Sequence, residues 1–307
     1  MAARAGRYDA VKLLVTGCAG QLGVELMRQA PGSLGLARDR LDISDREAVA
    51  AALTAAKTEG CAIVVNAAAY TGVDKAESDR ANAFAVNRDG PGNLAEACAR
   101  LDLPLIHVST DYVFDGSKHG AYVETDRVAP LGVYGASKEA GERAVRGRLN
   151  QHLIVRTSWV YAGHSANFVK TMLRLAGERD ELRVVDDQHG IPTSAGDIAR
   201  AILAIADKLH AARAESRYIP WGTYHYAAIG PTTWCGFARA IVEWAAARTG
   251  RRPKVTAIAT AEFPTPARRP ANSVLDCARI EQAFAPPRRP WQDGLNEVLD
   301  QLLAPKE

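Results

Sequence analysis

The chain has 307 residues, 47% hydrophobic and 24% charged, with 38 Lys and Arg against 35 Asp and Glu for a net charge of +3. That balance leaves no electrostatic footprint for nucleic acid, and the length suits one large α/β unit or two unequal domains with a substantial core. Five scattered cysteines (Cys18, Cys61, Cys98, Cys235, Cys277) with no C-x-x-C pair argue against a disulfide framework or a zinc site. Reduced thiols in a cytoplasm are expected. The seven histidines show no metal-ligand spacing, so no metal is expected. Met1 to Lys12 is polar and the next apolar run ends at Thr16, which is neither a signal peptide nor a membrane span.

Leu13 to Thr16 reads as a strand, followed by Gly17, Gly20 and Gly23 at G-x-x-G-x-x-G spacing and a helical pattern through Leu26 and Met27. Glycine there supplies turn dihedrals, admits a phosphate to the backbone and lets helix and strand pack closely; the helix start then offers free N–H groups to an anion. Taken alone, the turn fits packing and dinucleotide binding equally well. Ser33 to Arg38 reads as a second strand and Leu41 to Ile43 as an extended piece. Ser44 with Glu47 reads as a capping box before a helix from Ala48 to Lys57. Cys61 to Asn66, Pro104 to Ser109 and Leu153 to Thr157 read as buried strands, with helices at Ala81–Asn87, Pro91–Leu101 and Leu131–Arg148 between them.

This alternation predicts α/β architecture, a doubly wound parallel sheet of the Rossmann type with a smaller α/β substrate domain. Residues 1–160 are expected to form the dinucleotide-binding domain, extended by 186–230, and 161–307 mainly the substrate-binding domain. In the second half Asn167–Ala176, Ala195–Leu209, Phe237–Thr249 and Leu295–Leu303 read as helices and Val255–Ala259 as a strand. Of the late arginine pairs, Arg251-Arg252 and Arg288-Arg289 read as solvated surface.

Ligands of such sheets bind beyond the carboxyl ends of the strands, which here carry polar clusters at Gly17–Gly23, Arg38, Asp42, Asn66–Thr71, Ser109–Asp111 and Thr157–Tyr161. Tyr134 and Lys138 share a helix face, and an ammonium beside a phenol brings its pKa toward the operating range of a general acid. Such pairs also occur on solvated helices. Thr110 sits where its hydroxyl meets a substrate oxygen, or where Ser109, Thr110 and Asp111 cap the next turn.

Together the glycine turn, Asn66-Ala67-Ala68-Ala69, Ser109-Thr110-Asp111, Tyr134-x-x-x-Lys138 and Arg156-Thr157-Ser158-Trp159 resemble the extended short-chain dehydrogenases/reductases. Gly20-Gln21-Leu22-Gly23, Ala67 to Thr71 with Val73 to Glu77, Thr110 to Gly116, Asp187-Gln188-x-Gly190-x-Pro192-Thr193 and Arg269-Pro270-x-Asn272-Ser273 narrow this to the dTDP-4-dehydrorhamnose reductase family. The resemblance implies NAD(P)H-dependent reduction of the 4-keto group of dTDP-4-dehydro-β-L-rhamnose to dTDP-L-rhamnose. It implies that Tyr134 gives a proton to the sugar O4, that Lys138 lowers the Tyr134 pKa and holds the nicotinamide ribose, and that Thr110 bonds the keto oxygen. It places Gly17, Gly20, Gln21, Leu22 and Gly23 on the pyrophosphate, Asp42 and Ile43 by the adenine, and Ala69, Tyr70 and Thr71 along the cofactor. Asp111 and Trp159 would contact the sugar nucleotide, and Arg268 or Arg269 its diphosphate.

Arg38 favours the 2′-phosphate of NADPH while Asp39 favours NADH, so use of both with some NADPH preference is expected. Relatives that bridge a dimer through magnesium would use an acid at Glu25, but Gly196 stands where the second carboxylate belongs. No magnesium-bridged dimer is expected, and a homodimer of another kind stays open. The expected partner is a nucleotide sugar, with neither nucleic acid nor membrane. A 4,6-dehydratase would need a carboxylic acid where Tyr112 stands. A 4-epimerase and a non-catalytic NADP-binding regulatory subunit remain as alternatives, although the latter needs no Tyr134, Lys138 or Thr110.

Overall fold

The computed structural model describes residues 11–303; the expectation drawn from the polar leader concerns a stretch that lies almost wholly outside them. Six strands make one sheet: Leu13–Thr16 (β1), Leu34–Leu36 (β2), Ile63–Asn66 (β3), Leu105–Thr110 (β4), His152–Thr157 (β5) and Gly222–His225 (β6). Their order is β2-β1-β3-β4-β5-β6 and every neighbouring pair is parallel. β1, β3 and β5 are buried at every residue, which is why they read as apolar runs rather than as alternating patterns.

Side chains nevertheless alternate between the two faces. Leu13, Val15, Ile63, Val65, Leu153 and Val155 enter one apolar cluster, and Leu14, Val64 and Ile154 enter the other. The first face is covered by the helices Gln21–Gln29 and Ala195–Ala214, which pack on one another, and its cluster runs on to Leu299. The second face is covered by Arg46–Thr58, Gly90–Leu101 and Val133–Arg146, which contribute Val49, Leu53, Leu94 and Val145. β2 and β3 flank β1 on opposite sides, so the order in which strands are added reverses at β1 and opens a crevice beyond the carboxyl ends of β1 and β3.

Several sequence expectations are corrected. The cap of the Arg46–Thr58 helix is Asp45, whose carboxylate accepts from the N–H groups of Glu47 and Ala48, each at 3.0 Å. Ser44 instead donates its hydroxyl to Asp42 at 2.7 Å, so it is lost to the helix. The arginines at 288 and 289 are not a solvated pair. Arg288 donates to the carbonyls of Ala227 (2.8 Å) and Ala228 (3.2 Å), and Arg289 to Asp197 at 2.8 Å. The two longest strands not foreseen are β6, whose GTYH sequence carries no apolar run, and Glu181–Val185, which pairs with Lys254–Ile258; four two-residue strands were not foreseen either.

Among the described residues no helix is long and apolar enough to cross a membrane. The five cysteines are free thiols.

Candidate active site

The three glycines of the first turn do three separate jobs. Gly17 has φ +72°, and a Cβ there would lie 2.6 Å from the backbone of Ala68. Only glycine fits this left-handed position against the β3 loop. Gly20 is exposed and stands at the start of the Gln21–Gln29 helix, which no side chain caps, so its first N–H groups face the crevice. Gly23 is the packing residue: a Cβ would come within 2.2 Å of the Gly17 carbonyl. Leu22 turns its side chain into the core, leaving only its backbone toward the crevice. Gln21 accepts from the Asn167 amide at 3.1 Å, and its carbonyl lies 3.0 Å from the His164 ring.

Beside this turn a cleft of about 200 Å³ is lined by Gly17, Gly20, Arg38, Asp42, Ile43 and the loop Ala67–Tyr70, so the structure brings most of the expected cofactor residues together. Arg38 is 80% exposed and 4.0 Å from Asp42. Hydrogen bonds from Ser44 hold the Asp42 carboxyl below its ordinary value. Ile43 is buried against Gly90, and Thr71 is exposed at the end of the loop.

Asn87, which the sequence did not mark, fixes that loop. It lies in a π-helical turn, Ala85–Asp89, between the helices Arg80–Phe84 and Gly90–Leu101, and is fully buried. Its carbonyl oxygen accepts from Tyr70 N–H at 2.8 Å, while its amide donates to the Tyr70 carbonyl and to Ser137 Oγ, each at 3.0 Å. The insertion of one residue into the helix is the only signal, and it has no side-chain pattern. Asn66 ties the first turn in as well, accepting from Thr16 Oγ1 at 2.8 Å and Ala68 N–H at 3.1 Å.

Tyr134 and Lys138 sit on the Val133–Arg146 helix with Thr110 and Asp111 facing them from the end of β4. Tyr134 is half-buried and faces the Thr110 side chain. Burial raises its pKa to about 12; the nearby Thr110 side chain acts the other way and the Asp111 charge adds to the rise. The Lys138 ammonium donates to the Val108 carbonyl at 2.7 Å, and burial lowers its pKa to about 8. The expected lowering of the tyrosine by the lysine is therefore not what dominates this arrangement.

Asp111 is 2% exposed and accepts from Thr110 Oγ1 at 3.0 Å, while its Oδ2 has no partner; burial raises its pKa to about 6. Behind Lys138, one turn along, Glu142 is fully buried. It accepts from Ser109 Oγ (2.6 Å), Arg156 Nε (2.8 Å) and its terminal nitrogen (2.7 Å), and Arg146 (3.0 Å).

The opposite wall is aromatic. Trp159, held at φ +46°, stacks on Trp234 with ring centres 3.6 Å apart, and its indole lies where a side chain on Gly190 would be. Trp234, which the sequence did not single out, also touches Phe168 and borders a cavity of about 380 Å³ shared with Tyr112, Gln188, Thr265 and Arg269. The two candidate arginines separate. Arg269 grips both oxygens of Asp74, at 3.2 and 2.8 Å, whereas Arg268 is exposed and borders the gap beside Tyr134.

The residues standing where some relatives would bridge a dimer through magnesium are otherwise engaged. Glu25 accepts two bonds from Arg28, at 3.0 and 2.6 Å, and Gly196 offers only a carbonyl, which takes the Gln29 amide at 3.2 Å. Asp197, one residue on, is claimed by Arg200 and Arg289.

The chain is similar to known proteins along nearly its whole length. Residues 11–304 match the RmlD substrate binding domain family. The chain is 46% identical over 297 residues to a dTDP-4-dehydrorhamnose reductase of Sinorhizobium fredii, covering 95% of this chain and 98% of that one. It is 42% identical over 307 residues to that of Escherichia coli, again covering 95% and 98%. Among solved structures, the Clostridium acetobutylicum reductase superposes with a TM-score of 0.86 at 38% identity (95% of this chain, 99% of that one). The Bacillus anthracis reductase in complex with NADP superposes with a TM-score of 0.83 at 34% identity (94% and 98%). Aligned over nearly all its length to these enzymes, the chain belongs to the dTDP-4-dehydrorhamnose reductase family of oxidoreductases.

Proposed function

We propose that this protein reduces the 4-keto group of dTDP-4-dehydro-β-L-rhamnose with NADPH, and with NADH less readily, using Tyr134 as proton donor. The observation that carries this is that Thr110, at the carboxyl end of β4, faces Tyr134, with Lys138 one helical turn away. The crevice fits a dinucleotide: it has a side-chain-free approach at Gly20, an uncapped helix start, and Arg38 at its rim. Gly17, Gly20, Gln21, Leu22 and Gly23 would hold the pyrophosphate, Asp42 and Ile43 the adenine end, and Ala69, Tyr70 and Thr71 the middle.

When bound, the nicotinamide supplies hydride to C4. The carbonyl electron pair moves to O4, which takes the Tyr134 proton, so one C–H and one O–H bond form as the C=O bond becomes single. A phenol raised to about 12 carries that proton throughout the neutral range. Thr110 positions O4 beside it. Lys138, with a pKa of about 8, remains mainly ammonium at neutral pH and stabilises the phenolate left behind. Asp111 and Trp159 contact the sugar, and Arg268, exposed where Arg269 is committed to Asp74, meets the diphosphate. Residues 1–160 with 186–230 would then serve the dinucleotide and the remainder of 161–307 mainly the substrate.

The test is oxidation of NADPH on adding dTDP-4-dehydro-L-rhamnose, comparing the native protein with Tyr134→Phe. Loss of a general acid lowers kcat by about 10²- to 10⁴-fold while NADPH affinity is kept. No turnover by the native protein refutes the substrate; equal turnover by both refutes the proton donor.

A further inference from the structure

The short helix Val73–Ala76 and the adjacent Glu77 follow the cofactor loop, yet their acidic side chains point away from the crevice to two distant parts of the chain. Asp74 gathers three donors from the 265–269 loop: Ala267 N–H at 3.1 Å and the two guanidinium nitrogens of Arg269 at 3.2 and 2.8 Å. Glu77 accepts the Val133 N–H at 2.8 Å. That bond matters because the Tyr134 helix begins at Gly132, which has no side chain to cap it. Glu77 supplies the cap from 56 positions away, on the residue next to Tyr134. Space at Gly132 is reserved for it, since a Cβ there would come within 2.6 Å of the Glu77 carboxylate. Val73, Glu77, Gly132, Tyr134, Ala267 and Arg268 meet around one narrow gap.

We propose that Asp74 and Glu77 are paired positioning residues that set the separation between the substrate-phosphate loop and the proton donor, Asp74 anchoring the loop and Glu77 the first turn of the Tyr134 helix. Neither touches the reacting atoms. Asp74 acts on binding through the loop that carries Arg268, and Glu77 acts on the chemical step through the placement of Tyr134. The two therefore separate in kinetics. This inference rests on the assignment of Tyr134 as donor and Arg268 as phosphate ligand.

The experiment is steady-state kinetics with NADPH and dTDP-4-dehydro-L-rhamnose on Glu77→Ala, Glu77→Gln, Asp74→Ala and the exchanged pair Asp74→Arg with Arg269→Asp, together with amide exchange at Val133. Glu77→Ala lowers kcat by roughly tenfold with substrate KM nearly unchanged, and the Val133 amide exchanges faster. Glu77→Gln restores both, because its amide oxygen accepts the same N–H. Asp74→Ala raises substrate KM by roughly tenfold with kcat nearly unchanged, and the exchanged pair recovers part of it. Glu77 is exposed, so its variants fold. Native-like kinetics in Glu77→Ala, equal defects in Glu77→Ala and Glu77→Gln, or a shared loss of kcat and KM at Asp74 overturns the proposal. An active Tyr134→Phe control overturns the donor assignment instead, so the two failures are distinct.

Discussion

Asn87 holds both backbone groups of one residue: its side-chain carbonyl oxygen takes the Tyr70 N–H at 2.8 Å and its amide gives a hydrogen to the Tyr70 carbonyl at 3.0 Å. Asn66 holds the same loop at its other end, through the Ala68 N–H at 3.1 Å. Replacing Asn87 by Leu leaves two buried backbone groups without partners, a cost of about 1–3 kcal/mol for each group stranded. Asn87→Leu is expected to lower the melting temperature and to raise NADPH KM more than substrate KM. Unchanged NADPH KM in a folded variant would show that the loop is held by other contacts.

Two glycines close in sequence make opposite predictions. A methyl group at Gly23 meets the Gly17 carbonyl at 2.2 Å, whereas one at Gly32 meets nothing within 4 Å. Gly23→Ala forces the first helix away from its turn, at a typical overpacking cost of about 1–3 kcal/mol, and weakens NADPH binding. Gly32→Ala is silent in both. Calorimetry and fluorescence titration of the two variants side by side check this.

Asp111 costs stability at neutral pH. Its folded pKa is raised by burial from 3.8 to about 6, a difference worth about 3 kcal/mol between the two ionisation states. The sign follows directly. Below pH 4 the carboxyl is protonated in folded and unfolded chains alike and nothing is lost; as pH climbs from 4 to 6 the unfolded chain gives up its proton while the folded protein still holds one, and stability falls until the folded group ionises as well. Asp111→Asn is expected to be more stable than the native protein at pH 7, to lose that advantage at pH 4, and to be catalytically impaired. Urea unfolding at the two pH values measures the difference, and a pH-independent gap would rule out ionisation as its cause.

Cofactor choice is expected to rest on Arg38, which is 80% exposed and only 4.0 Å from Asp42. Arg38→Ala should reduce the preference for NADPH over NADH by about tenfold, through loss of the charge facing the 2′-phosphate. The ratio of kcat/KM values with the two cofactors is the measurement, and an unchanged ratio removes Arg38 from that role.

Much of this was legible in the chain because a parallel sheet writes its strands as apolar runs. β1, β3, β4 and β5 could be placed from such runs, and the polar residues following them fell at the crevice. β6 was silent because GTYH lacks that signature. The contacts that the sequence left unread at the site share a physical cause. Asn87 acts from a helical irregularity, Glu77 caps a helix 56 positions away, and Asp74 meets Arg269 across 195 positions. Contacts of that range leave no local periodicity. Ser44 failed for the converse reason: two neighbouring residues could cap, and Asp42 drew the serine hydroxyl away.

The buried Glu142 carboxylate receives donors from β4, from β5 and from its own helix. Apolar contacts between a helix and a sheet tolerate sliding, since one methyl group replaces another with little loss. A desolvated ion pair does not, because displacement by a single turn would strand the Arg156 charge, at a cost of about 3–5 kcal/mol. The helix bearing Tyr134 is thus held in axial register by a desolvated charge pair, in addition to the close backbone contacts at Gly135 and Gly141.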